Sequence, residues 1–213
     1  MTNADSLQRY LAETRQQIEH ALREAIPAEW NVPDKLREAM EYSLHAGGKR
    51  LRPILVITAA QSVSGDRDAG VRAMPFAVAV EMIHTYSLIH DDLPALDNDD
   101  FRRGRPTSHR VFGDAMAILA GDGLLTHAFY VATQAAQLGV HPSRVLAVVS
   151  ELARFAGLPG MVGGQADDIL GEQGVTSLAE LESIHLRKTS DLIAFSLRAG
   201  GHASDADEGQ LAA

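Results

Sequence analysis

Apolar positions recur every three to four residues along almost the whole chain, and no short alternating run reads as a strand or hairpin. Residues 5–25 set Leu7, Leu11, Ile18 and Leu22 among charged neighbours at helical spacing. Pro33 suits the first turn of a second helix, which Gly47-Gly48 ends after His45-Ala46. A third helix is predicted from about Arg52 to Val63, and Ser64-Gly65-Asp66 is a turn. Residues 69–92 are long and weakly polar, which predicts a central helix buried on most sides, stopped by Pro94. An acidic-then-basic loop runs to about Pro106, where Thr107 or Ser108 can cap the next helix. Gly121-Asp122-Gly123 reads as a break before a helix over 124–138. His141-Pro142-Ser143 opens another helix to about Phe155, and Gly157 to Gly160 break it. MVGGQADDIL follows, then a second break from Gly171 to Thr176 and a last helix from Ser177 to Ala199. The residues from Gly201 read as loop. No repeat or low-complexity linker divides the chain, so the pattern predicts one all-α domain over residues 1–213.

At 213 residues, 46% hydrophobic and 22% charged, the chain has the composition of a globular protein with a substantial core. It contains no cysteine, which excludes disulfides, zinc–thiolate sites and thiol nucleophiles. A net charge of −9 argues against a nucleic-acid partner, and an anionic ligand must be held by local basic groups or metal. The start, MTNADSLQRYLAETRQQ, has neither the basic end nor the apolar run of a signal peptide, and no apolar stretch is expected to approach membrane-spanning length. Stable membrane insertion is not expected, and a cytoplasmic location is.

Candidate chemistry concentrates in residues 91–105. Asp91, Asp92, Asp97, Asp99 and Asp100 place five carboxylates in ten residues, and Arg102, Arg103 and Arg105 follow at once. Carboxylate oxygens suit Mg²⁺, which binds through one or two acids plus substrate phosphates. Guanidiniums suit phosphate. Carboxylates at a helix C-terminus are disfavoured by the dipole, so Asp91 and Asp92 need a cation. If the chain stays roughly helical past Asp92, Asp91 and Asp97 reach one shared ion. The plainer reading is a solvated acidic loop.

A second constellation is Gly47-Gly48-Lys49-Arg50-Leu51-Arg52-Pro53, where glycines expose backbone N–H groups and basic residues sit at a helix start. The alternative is an ordinary C-cap followed by surface basics. A third is Arg102-Arg103-Gly104-Arg105-Pro106-Thr107-Ser108-His109, whose position against the acids favours phosphate clamping over a plain surface loop. His84 lies two helical turns before Asp91, where a satisfied core histidine is the commoner case. Gly164-Gln165-Ala166-Asp167-Asp168 and Lys188-Thr189 are open between function and ordinary helix surface.

Taken together these segments resemble the trans-isoprenyl diphosphate synthases. VEMIHTYSLIHDDLPALDNDDFRRGRPTSH is similar to that family's first aspartate-rich region, GGKRLRP to its isopentenyl diphosphate site, and GGQADDI and RKTSDLI to later motifs in the same order. The resemblance runs from about residue 30 to 200. With Pro94-Ala95 set between the acids and a tyrosine upstream, it is nearest the bacterial farnesyl diphosphate synthase branch.

The resemblance implies an all-α, isoprenoid synthase-type bundle around a central cavity, usually homodimeric. It implies condensation of isopentenyl diphosphate with an allylic diphosphate (dimethylallyl or geranyl) to farnesyl diphosphate. It carries Asp91, Asp92 and Asp97 over as ligands of Mg²⁺, with Mn²⁺ as the alternative, and Arg102 as an allylic diphosphate contact. Gly48, Lys49, Arg52, His84 and Arg103 match the isopentenyl diphosphate site. Gln165, Lys188 and Thr189 match further contacts on the allylic side. Asp91, Asp97, Arg102 and Lys188 are thereby the candidate catalytic groups. Tyr86 and Ser87, five and four residues before Asp91, lie about 6–7.5 Å back along the helix, where the resemblance implies a floor that sets product length.

The family also has a second aspartate-rich motif downstream of the Lys-Thr segment. Asp167-Asp168 comes too early, and Asp205, Asp207 and Glu208 are wrongly spaced in an expected loop. The 213-residue chain by itself is therefore expected to turn over poorly or not at all. The other readings are a geranylgeranyl diphosphate synthase, a non-catalytic helical partner subunit, and a metal phosphohydrolase prompted by His90-Asp91. The last would want imidazole ligands that this cluster lacks. A terpene cyclase would not need the basic pocket at Lys49 and Arg52.

Overall fold

The computed structural model describes residues 3–171, 174 and 177–212. The chain forms two compact units, one from residues 1–54 and 77–132 and the other from 55–76 and 133–213. Apart from one two-residue hairpin, the described structure is helices and turns, as the apolar periodicity predicts.

In the first unit, α1 (Asn3–Glu24) buries Thr14, Ile18 and Leu22, one residue per turn at i, i+4 and i+8. Leu7 and Leu11, on the same predicted stripe, are exposed. Helix α2 (Asp34–Leu44) follows Pro33, and Gly47 (φ +81°) and Gly48 (φ +135°) lead into α3 (Leu51–Ser64). Helix α4 (Ala69–Asp91) shows why a long apolar run has little amphipathic character: Phe76 to Ile83 are all buried. Beyond Asp91 the chain leaves the helix through turns. The Asp97 amide donates to the Asp91 carbonyl at 2.9 Å and the Asn98 amide to Leu93 at 3.1 Å.

Strands β1 (Phe101–Arg102) and β2 (Arg105–Pro106) pair antiparallel. The sequence reading missed this hairpin. Its two-residue loop has positive φ at both Arg103 (+54°) and Gly104 (+76°), the turn geometry that matches strand twist, and only the second residue is a glycine. Thr107 takes the N-cap position of α5 (Ser108–Phe112), but its hydroxyl donates to the Asp99 carbonyl at 2.7 Å, closing the acidic loop instead of capping.

Helix α6 (Asp114–Thr133) runs unbroken through Gly121-Asp122-Gly123, so the break expected there is corrected to Gly113 (φ +85°). A Cβ at Gly121 would fall on the His90 ring, and one at Gly123 would lie 3.0 Å from the Met40 sulfur. Those glycines serve close packing. Residues 114–138 and 142–171 are long and apolar enough, on length and composition alone, to cross a membrane, which corrects the expectation that no apolar stretch approaches that length. In the fold they bury Ala117, Leu124, Val148 and Leu152.

In the second unit, α7 (Pro142–Ala156) packs on α10 (Asp191–Ala203). Glu151 of α7 takes a two-pronged bond from Arg198 and a contact from His202 at 3.3 Å, and Arg198 also reaches the Leu211 carbonyl at 2.6 Å. Although burial opposes it, these partners hold the Glu151 carboxyl down at about 2. Helix α8 (Met161–Gly171) precedes the predicted break, of which Glu172, Gln173, Val175 and Thr176 lie outside the described residues. Helix α9 (Leu178–His185) starts in a reciprocal cap between Ser177 and Glu180. The single helix predicted to Ala199 is interrupted by a π-helical turn over 186–190, and α10 then continues to Ala203. The expected loop after Gly201 is also corrected. Gly200 lets α10 approach the Val56 carbonyl and Ala60 amide, Ser204 donates to Ala60, and Glu208–Ala212 form α11, started by reciprocal Asp207 and Gln210 bonds.

Candidate functional site

The Gly47-Gly48-Lys49-Arg50 segment cannot fold as helix, because Arg50 itself is left-handed (φ +50°). Its side chain is buried and explains the conformation. The guanidinium donates to Glu19 at 2.8 Å, to Glu81 at 2.5 Å and to the Leu44 carbonyl at 2.8 Å. Burial opposes the Arg50 charge, but the two carboxylates outweigh it and its pKa rises. Turning Arg50 inward presents its neighbours Lys49 and Arg52 to a cleft of about 600 Å³, lined also by Gly48, Glu81, His84 and Arg103. That size suits a small ligand.

The cleft is short of negative charge. Arg52 and Arg103 are each pulled below the usual guanidinium range, chiefly by burial, with cationic neighbours adding to it; Glu81 opposes this at both, and Glu19 also at Arg103. The Arg52 Nε is buried with no hydrogen-bond partner. Burial, followed by the fields of Arg52 and Arg103, pushes His84 down to about 3. Its ring is thus neutral near pH 7, surrounded by cations and able to accept or donate. A buried donor without a partner and mutually repelling guanidiniums are the electrostatics of a site that takes an anion.

Lowered basicity of His84 has a stability consequence. Below its ordinary 6.5, the unfolded chain takes up a proton that the folded site resists, so stability falls as pH drops from 6.5 toward about 3. His84→Gln should therefore lose less stability than the parent between roughly pH 6.5 and 4 in urea titrations. Parallel pH profiles for the two proteins would contradict the assignment.

Arg103 reaches this cleft from the hairpin. It donates to the Gly47 carbonyl and lies across Gly48, where an added Cβ would sit 2.6 Å from Nη1. Its neighbour Arg102 points the other way, onto Asp92, with Nε and Nη2 at 2.7 and 2.6 Å. Burial raises the Asp92 pKa against the pull of Arg102, whose own pKa is raised chiefly by that hydrogen bond.

Among the described residues no three His, Cys, Asp or Glu side chains gather as a metal-ligand set. Of the three expected ligands Asp91, Asp92 and Asp97, Asp92 is engaged by an arginine. Successive helical residues point about 100° apart, and Asp92 turns inward to Arg102. Asp91, half-buried, and Asp97, exposed, are joined by the turn instead. Two hard carboxylates on one turn still fit Mg²⁺, which completes its shell with water and phosphate oxygens. Tyr86 is buried, edge-on to His90 at 5.7 Å, and its phenol is raised by burial and then by Asp91. Ser87 donates to the His84 carbonyl at 2.9 Å.

The remaining predicted residues lie in the second unit. Lys188, in the π turn, donates to Asp168 at 2.7 Å, and Arg187 pairs with Asp167. Thr189 is exposed and Gln165 half-buried. Gly164 makes the approach possible, since a Cβ there would lie 2.8 Å from the Lys188 amide. A π turn widens the helix by one residue, a feature frequent at functional sites.

Sequence reasoning missed Glu19, Arg50 and Glu81 as a buried triad. A signal existed: Glu81 is the one acid inside a run of buried apolar residues, and such a charge needs a partner.

The sequence profile described as Polyprenyl synthetase matches residues 33–213. The chain is 49% identical over 205 residues to a farnesyl diphosphate synthase of Geobacillus stearothermophilus, covering 96% of this chain and 68% of that protein. It is 48% identical over 208 residues to a farnesyl diphosphate synthase of Bacillus subtilis, covering 98% and 68%. The crystal structure of a geranyltransferase from Legionella pneumophila superposes with a TM-score of 0.90 at 33% identity, over 99% of this chain and 74% of that one. With its aspartate-rich turn and basic cleft in the matched order, the chain belongs to the polyprenyl synthetase family.

Proposed function

We propose that the protein condenses isopentenyl diphosphate with dimethylallyl or geranyl diphosphate to make farnesyl diphosphate. The observation that carries this is the under-neutralised cleft of Lys49, Arg52 and Arg103 around a neutral His84, one hairpin away from the acidic turn. The names of the Geobacillus stearothermophilus and Bacillus subtilis relatives support it.

In this reading Lys49, Arg52 and Arg103 hold the diphosphate of isopentenyl diphosphate, and Gly48 leaves room for the guanidinium above it. His84, unable to gain a proton, adds a hydrogen bond without further crowding of charge. Asp91 and Asp97 would hold Mg²⁺, which when bound neutralises charge on the allylic diphosphate as it leaves. Arg102 contributes to the allylic side, and the family resemblance carries the same role to Lys188, Gln165 and Thr189. The allylic C–O bond breaks to give a carbocation and free diphosphate. The isopentenyl double bond attacks the cation, and the departed diphosphate then takes up a proton, restoring a double bond. The protein supplies orientation and electrostatic stabilisation and needs no nucleophilic side chain.

We also propose a homodimer. The outer side of α6 supports it, since Ile118, Leu119 and Tyr130 are exposed there. Light scattering at micromolar concentration tests that assignment, and cell fractionation tests the cytoplasmic location.

The central experiment incubates protein from the complete reading frame with both substrates and Mg²⁺, then separates products by chain length. Release of diphosphate with a C15 product is the expected result. No product from either allylic substrate would end this reading. Tyr86→Ala should shift the product toward C20 or longer, because removing the buried ring deepens the space below Asp91. Unchanged C15 product from an active variant would contradict that role.

A further inference from the structure

The hairpin carrying Arg102 and Arg103 has little of its own to hold it. Its ladder is two residue pairs long, and both loop residues are left-handed. An isolated two-stranded hairpin is marginal in water. Tyr42 of α2 grips its outer strand. The Tyr42 hydroxyl donates to the Pro106 carbonyl at 2.8 Å. The Arg105 guanidinium lies over the same ring, 4.3 Å from its centroid. Phe112 of α5 meets the ring edge-on at 5.4 Å, and Lys35 covers Phe112 at 5.5 Å.

Arg105 belongs to the basic run that the sequence assigns to phosphate, yet here it stacks on an aromatic face of α2. Helix α2 is also the element that delivers Gly47, Gly48 and Lys49, which begin three residues after its end. One residue therefore ties together the two segments that line the basic cleft: the glycine loop behind α2 and the hairpin that reaches back over it. The tip of the hairpin has its own attachment through Arg103 and Gly47. The base is tied to the acidic turn by Arg102 on Asp92 and Thr107 on Asp99, and to α2 by Tyr42.

We propose that Tyr42 is a positioning residue, which fixes the hairpin so that Arg103 lies across Gly48 in the cleft, with Arg105 as its clamp. This rests on reading the cleft as a diphosphate site. The hydroxyl and the ring contribute separately, so the variants separate them: Tyr42→Phe keeps the Arg105 and Phe112 contacts and loses the bond to Pro106, whereas Tyr42→Leu loses all three.

The test is calorimetric titration of the 213-residue chain with isopentenyl diphosphate, alongside thermal unfolding. Tyr42→Phe should weaken binding about 3–10-fold, the order of one lost hydrogen bond, with an unfolding midpoint close to the parent's. Tyr42→Leu and Arg105→Gln should weaken binding as well, the former more. In an Arg103→Ala background, Tyr42→Phe should have no further effect on Kd, because Tyr42 acts through that guanidinium. A residue that merely stabilises the fold would lower the midpoint, leave Kd unchanged, and show no such dependence on Arg103. Parent-like Kd in Tyr42→Phe, or an equal loss with and without Arg103, would overturn the positioning role while leaving the site intact. Failure of the parent chain itself to bind would overturn the diphosphate reading and this inference with it.

Discussion

Replacement of Glu81 by alanine should destabilise the fold by about 3–5 kcal/mol, the usual cost of stripping one partner from a buried ion pair. The Arg50 side chain has no exposed surface and Glu81 has 3%, so water cannot replace the lost carboxylate. Glu19 remains on the other edge of the guanidinium at 2.8 Å, which places the expected loss toward the lower end of that range. Glu81→Gln should be milder, since an amide oxygen still accepts. Equilibrium urea unfolding measures all three proteins, and a Glu81→Ala loss below about 1 kcal/mol, the range of an exposed pair, would refute the burial argument. Arg50→Ala should be at least as damaging, because it leaves two carboxylates facing one another and removes the anchor of a left-handed backbone. The functional consequence follows from position. Arg50 stands between Lys49 and Arg52, so loosening it blurs both groups that line the cleft.

Gly48→Ala should weaken isopentenyl diphosphate binding by about 10–100-fold, equivalent to one charge-assisted interaction of roughly 1.5–3 kcal/mol. The new methyl would occupy the space of the Arg103 guanidinium, 2.6 Å from Nη1 and 2.8 Å from Cζ, and a φ of +135° adds backbone strain. Since the obstructing atoms are the end of a flexible side chain, the arginine gives way before the fold does. Arg103→Ala should show a similar loss, and the double variant should be no worse than either single one. Full additivity would mean that Gly48 acts through the backbone alone. Parent-like binding by Gly48→Ala would mean that Arg103 does not work from its observed place.

Much of the fold was legible because apolar spacing reports helices directly. The limits of α2, α3, α4 and α7 follow from Pro33, Gly47, Ser64, Pro94 and His141-Pro142, residues whose local chemistry has few alternatives. Glycines misled where their reason is tertiary. Gly121 and Gly123 resemble a break in sequence, but in the fold they make room for His90 and Met40. Gly201 likewise reads as the start of a loop and instead lies buried within α10. The hairpin at Arg103-Gly104 was hidden because its strands are two residues long, too short for any period to register.

The site divides in the same way. That acids and bases cluster near residues 91–105 and 47–53 is a property of the linear chain, as is the family resemblance they carry. Which of those charges face a ligand is not. Arg50, Arg52, Arg102, Arg103 and Arg105 are chemically identical in the sequence. Packing assigns one to a buried triad, one to Asp92, one to a tyrosine ring and two to the cleft. Asp92 is spent on Arg102, whereas Asp91 and Asp97 come together through a turn. The sequence by itself determined the helical class, the family and the chemical types available. Only the tertiary structure decided which charges are neutralised internally and which face the cleft, because burial and partner distance, neither visible along the chain, set the energy of each charge.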